Sequence, residues 1–112
     1  MYINTEKLDI SMVRGDTLSF GLEFEGLDQD LDCASFVCGR EYGSRDVVIN
    51  KTIGNGIWKQ DDTHYGVRIA PEDTKDLDGM IYYYDLQVGA NGDIFTILHG
   101  KLLLEKDVFV EE

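Results

Sequence analysis

Over residues 17–25 apolar and polar positions alternate without a break. Leu18, Phe20, Leu22 and Phe24 share one face, and Thr17, Ser19, Gly21, Glu23 and Glu25 the other. A period of two over this length predicts a half-buried β-strand. Turn formers and charge interrupt it through Gly26-Leu27-Asp28-Gln29-Asp30-Leu31-Asp32, and Ala34, Phe36 and Cys38 then resume the alternation toward Tyr42. The two runs are predicted to be consecutive antiparallel strands joined by roughly six to eight residues.

Gly43-Ser44-Arg45-Asp46 reads as a turn, followed by a less regular strand with Val47, Val48, Ile49 and Ile53 that Gly54-Asn55-Gly56 closes. Ile57 and Trp58 start a short segment ending at Gln60-Asp61-Asp62, and residues 64–70 alternate again through Tyr65, Val67 and Ile69. Residues 71–76 predict the one helical turn, because Pro71 suits a first helical position and Glu72 and Asp73 face the positive end of the helix dipole. Tyr82, Tyr84, Leu86 and Val88 form another inward face, Ala90-Asn91-Gly92-Asp93 supplies an Asn-Gly hairpin turn, and residues 94–104 return antiparallel. A last strand is expected around Val108 to Val110, and an edge strand within residues 2–10. Strands at intervals of about ten residues with turns between them predict an all-β fold, an antiparallel β-sandwich with one short helical turn near 71–76.

At 112 residues the chain reads as one domain, 1–112, long enough to bury roughly two-thirds of its unfolded surface without disulfide or metal support. Ten Lys and Arg against 22 Asp and Glu give a net charge of −12. That charge repels nucleic-acid phosphates and anionic lipid, so neither is an expected partner. No run approaches the ~18 apolar residues of a membrane helix, and the first residues carry no signal-peptide pattern. Cys33 and Cys38 on one extended strand would stand about 16 Å apart, beyond disulfide reach, which favours a reduced protein.

Several patterns suggest chemistry and are outweighed by a structural explanation. Asp28, Asp30 and Asp32 have the spacing of the first ligands of a calcium loop, but Cys33 and Gly39 occupy positions that need glycine and glutamate, so an acidic turn is expected. Arg14-Gly15-Asp16 spells an adhesion tripeptide, and directly before a strand it reads as a turn with Arg14 exposed. His64 and His99 lie in alternating strands without a nucleophile motif, and no phosphate loop or metalloprotease motif is present. No enzyme activity and no cofactor are expected. Tyr42, Trp58, Tyr65, Tyr82, Tyr83 and Tyr84 could stack on sugars, but most point inward; Trp58 and Tyr83, which faces opposite to Tyr82 and Tyr84, are the aromatic contact residues left for a ligand or partner. Leu77-Asp78-Gly79 followed by Tyr82 has the look of a tyrosine corner, in which a hydroxyl anchors a turn.

Four elements in order resemble the N-terminal domain of phage baseplate upper proteins and its free-standing relatives, small immunoglobulin-like domains of tailed phages of Gram-positive hosts. They are Arg14-Gly15-Asp16-Thr17 leading to Phe20 and Phe24, Ile69-Ala70-Pro71-Glu72-Asp73-Thr74 before Leu77, Tyr84-Asp85-Leu86, and Leu98-His99-Gly100-Lys101-Leu102. The resemblance implies an immunoglobulin-like sandwich and a non-enzymatic virion or prophage structural protein. It implies synthesis in the host cytoplasm, assembly with other tail or baseplate proteins, and homo-oligomerisation, and it carries no catalytic residues. Open strand edges, those near Tyr2 to Ile10 or near Val108 to Val110, are the expected contact points. The alternative is a small carbohydrate- or cation-binding module using Trp58 and Tyr83 or the Asp28, Asp30 and Asp32 loop.

Overall fold

A computed structural model describes residues 5–41 and 46–107. The chain forms β1 (Glu6–Lys7), β2 (Ile10–Val13), β3 (Leu18–Glu23), β4 (Cys33–Gly39), β5 (Val47–Ile53), β6 (Gly56–Lys59), β7 (His64–Ile69), α1 (Pro71–Thr74), β8 (Ile81–Ala90) and β9 (Asp93–Glu105). The predicted strands over 17–25, 47–53, 64–70, 82–88 and 94–104 are all present, as is the Asn-Gly hairpin, where Asn91 and Gly92 have φ of 55° and 83°. The expected last strand at Val108 to Val110 lies outside the described residues, as does Tyr42.

The fold is all-β, a single curled sheet ordered β1-β9-β8-β4-β5-β6-β7-β3, with β2 also paired to β9. The curl is required by the aromatic core. Phe20 on β3 meets Phe36 on β4 edge-on with centroids 6.2 Å apart, although three strands separate them along the sheet. Phe36 stacks on Tyr84 at 5.1 Å, and Phe24 packs against Tyr65 at 5.8 Å. Tyr82, Leu86, Val88, Val67, Ile69 and Leu102 are fully buried around them. Each belongs to a period-two face, so folding the sheet over removes all of these faces from water at once.

Two features depart from an all-antiparallel arrangement. β1 and β2 run parallel to β9, with Glu6 opposite Leu98 and Ile10 opposite Leu102. Between them the chain lies close against Gly100, where a β-carbon would stand 2.3 Å from the Leu8 carbonyl oxygen. The Tyr84 hydroxyl donates to that same carbonyl, Leu8 N–H donates to His99 O at 2.9 Å, and Lys101 N–H donates to Asp9 Oδ1 at 3.0 Å. Secondly, Gly54-Asn55 does not reverse the chain. With Gly54 at φ 87°, β5 steps sideways into β6 and the two pair in parallel over Thr52–Gly56 and Ile53–Ile57.

The helical turn starts as expected at Pro71, and the Asp73 carboxylate accepts the Ala70 N–H at 2.6 Å while meeting Lys51 Nζ at 2.7 Å. It thus pins α1 to β5 and satisfies an otherwise unpaired helix-start donor. Farther on, the Tyr82 hydroxyl donates to the Asp78 carbonyl at 2.7 Å, the contact that the spacing of Asp78 and Tyr82 suggested.

Candidate functional site

The sequence-selected positions fall in different places. Trp58 on β6 is 40% exposed and Tyr83 on β8 half-buried, opposite Gly39 and Lys101, whereas Val108 and Val110 lie outside the described residues. Asp30 is committed to Lys59 Nζ at 2.5 Å, and Asp32 accepts the Gly92 N–H at 3.1 Å. The two carboxylates therefore serve different partners, and among the described residues no group of three or more His, Cys, Asp or Glu could hold a metal ion. Arg14 is not the exposed charge the tripeptide suggested. Its guanidinium is half-buried, pairs with Asp107 at 2.8 Å and donates to the Leu77 carbonyl at 3.2 Å, while Gly15 N–H donates to the buried Thr74 hydroxyl at 2.9 Å. The turn is held by the molecule's own groups, and the hydrogen bond from Arg14 keeps the Asp107 carboxyl below its ordinary range.

His64 has hydrogen-bonding neighbours in Thr63 and Asp61, yet both meet the same ring nitrogen, Nδ1, at 3.0 and 2.7 Å. A proton relay needs the hydroxyl and the carboxylate on opposite nitrogens. Here Nε2 is 3.9 Å from Glu23, and the cluster closes the turn between β6 and β7. The Thr63 N–H and then the His64 ring hold the Asp61 carboxyl below its ordinary range. On β8, burial pushes the Asp85 carboxyl up, with His99 across on β9 partly opposing the shift.

Two surfaces have a shape that could receive something. On the outer face of β5, β4, β8 and β9, Thr52, Ser35, Gln87 and Thr96 form a cross-strand polar row, with Gln87 Nε2 donating to Thr96 Oγ1 at 3.3 Å. Ser35, Thr52 and Gln87 of this row, with Cys33 and the exposed Ile53 and Ile94, line a groove of about 310 Å³.

The second surface surrounds Trp58. On the outer face of β6, β7 and β3, Trp58, Gly66 and Gly21 are direct cross-strand neighbours. The indole covers Gly66, where a β-carbon would stand 2.3 Å from Cζ2, whereas Gly21 is open above its backbone. Next to Gly21 lies the free edge of β3, since among the described residues only β7 pairs with it. Sequence reading named Trp58 as a possible contact residue but passed over the two glycines beside it. For Gly66 the signal was available, because a glycine inside a strand often marks close approach of another group.

No model of a known protein family matches the chain, and no curated protein matches it.

Proposed function

We propose that this chain is a non-enzymatic structural module of a tailed-phage or prophage virion, an immunoglobulin-like β-sandwich that acts by assembling with other tail or baseplate proteins. The sandwich reading is supported by the division of the curled sheet at the β5-to-β6 sidestep. The β9-β8-β4-β5 portion and the β6-β7-β3 portion contribute facing aromatics, Phe36 and Phe20, to one core. Parallel pairing of β1 and β2 with β9 and a Tyr82–Asp78 corner are further immunoglobulin-like traits.

The observation that carries the assembly role is the edge of β3, six residues with alternating burial that, among the described residues, pair with β7 on one side and with no strand on the other. An open edge is a template for another chain, and proteins that do not use it usually blunt it. The resembling segments also occupy structural joints: Arg14 and Gly15 tie the β2–β3 turn to Thr74, Leu77 and Asp107.

The test is mass spectrometry of purified particles after inducing the bacterium that encodes the chain. Recovery in tail or baseplate fractions at a fixed copy number supports the reading; its absence from intact, infectious particles overturns it. Trp58 favours a second reading, a carbohydrate-binding module, because a half-exposed indole next to the bare backbone of Gly21 leaves room for a sugar ring. Saturable quenching of Trp58 fluorescence by an oligosaccharide would favour that alternative.

A further inference from the structure

We infer that the free edge of β3 is a homodimer interface, where two copies pair Leu18–Glu23 antiparallel about Gly21. The inference rests on the assembly reading and narrows it to one edge and one partner. Phe24 N–H donates to Thr63 O at 2.8 Å and continues the β3–β7 ladder, in which Leu22 faces Tyr65 and Phe20 faces Val67. Hydrogen-bonded and non-bonded pairs alternate along an antiparallel ladder. Leu18, Phe20 and Leu22 therefore direct their backbone groups at β7, and Ser19, Gly21 and Glu23 direct theirs outward. All three of these residues are exposed.

Of the usual protections of an edge, this strand carries only one charge, Glu23 at its end. Leu18–Glu23 contains no proline and no lysine, and its pairing with β7 runs without a bulge. Its inward side chains, Leu18, Phe20 and Leu22, are only partly buried, so each would gain cover from an added strand.

A second copy fits this edge because the segment is complementary to itself. With Gly21 opposite Gly21, Leu18 faces Phe24, Phe20 faces Leu22, Ser19 faces Glu23 and Thr17 faces Glu25. Every inward apolar residue meets an apolar one, and each glutamate meets a hydroxyl. No acid faces an acid, a requirement for self-association of a chain with net charge −12. Centring the pairing on Phe20 would set Asp16 against Phe24, and centring it on Leu22 would leave Leu18 against Gly26. On the outer face the Gly21 pair brings no side chain, so the backbones meet unhindered between the two indoles.

The experiment is sedimentation velocity of the full chain over a concentration series at low and high salt. The expected result is a rise in mass from 12.7 kDa to twice that value, at lower concentration in high salt because screening weakens the repulsion between two acidic copies. Ser19→Glu sets a carboxylate opposite Glu23 of the second copy at two symmetric places and should abolish the dimer. Adding Glu23→Lys should restore it; the two residues lie four apart on one strand and are exposed, so circular dichroism should show both variants folded. A monomer at every concentration, a dimer indifferent to Ser19→Glu, or a double variant that stays monomeric overturns the inference. None of these outcomes bears on recovery of the chain from particles, so the two readings fail separately.

Discussion

The benzo ring of Trp58 lies over Gly66, so close that a β-carbon on Gly66 would stand 2.3 to 2.8 Å from three of its atoms. The ring is held on one side only, since Trp58 is 40% exposed. Gly66→Ala should therefore push the indole into solvent and leave the backbone in place. Because Trp58 is the sole tryptophan, the intrinsic emission of the protein should shift to the red, with a stability loss of about 1–2 kcal/mol. An unchanged emission maximum would show that the ring does not rest on Gly66.

Gly100 presents the opposite case, a close approach in which the obstacle is backbone. A β-carbon there would meet Leu8 O at 2.3 Å and the Leu8 carbonyl carbon at 2.9 Å. Gly100→Ala should detach residues 6–13 from β9 and break the bond from Tyr84 to Leu8, at a cost of roughly 2–4 kcal/mol. Urea unfolding measures the loss, and amide exchange should locate it at residues 6–13. A variant as stable and as protected as the parent would refute the parallel docking.

Asp73 performs two tasks with one carboxylate, accepting the Ala70 N–H and pairing with Lys51, whose side chain is 11% exposed. Asp73→Ala leaves a poorly solvated ammonium as well as an unsatisfied donor, so a loss of about 2 kcal/mol is expected. Lys51→Met keeps the cap and the packing of the stem and should cost less than Asp73→Ala. Thermal unfolding of both variants checks the order.

Cys33 and Cys38 lie on the same strand, one exposed and one buried, and both are free thiols. Burial pushes the Cys38 thiol from 9.0 up to about 12. In the native protein at neutral pH, alkylation should modify Cys33 alone, as mass spectrometry would show. The same shift sets a sign for alkaline stability: above pH 9 the unfolded chain releases this proton while the folded chain retains it, so stability falls between pH 9 and about 12. Tyr82, raised mainly by burial, acts in the same sense. Cys38→Ala should flatten the alkaline slope of urea-measured stability even though it lowers stability at neutral pH, and an unchanged slope would contradict the burial of the thiol.

Period-two alternation, an Asn-Gly step and Pro71 ahead of two acids were sufficient to locate the main strands, the β8–β9 hairpin and the helical turn. These are local properties: a strand with one buried face must alternate, a tight reversal needs residues that tolerate positive φ, and a helix start tolerates proline. The spacing of Asp78 and Tyr82 was legible for the same reason, because the contact spans four residues.

What alternation does not encode is the neighbour of each strand, since any strand able to cover the apolar face satisfies it. Only the tertiary structure laid residues 6–13 parallel to β9 and turned Gly54-Asn55 into a sidestep. The same global packing drew Arg14 into a pair with Asp107, 93 positions along the chain. It also left β3, among the described residues, paired on one side only and brought Trp58 onto Gly66 beside it. Edges and cross-strand contacts depend on how the whole sheet curls to bury Phe20 against Phe36, and that curl is a property of all the strands together.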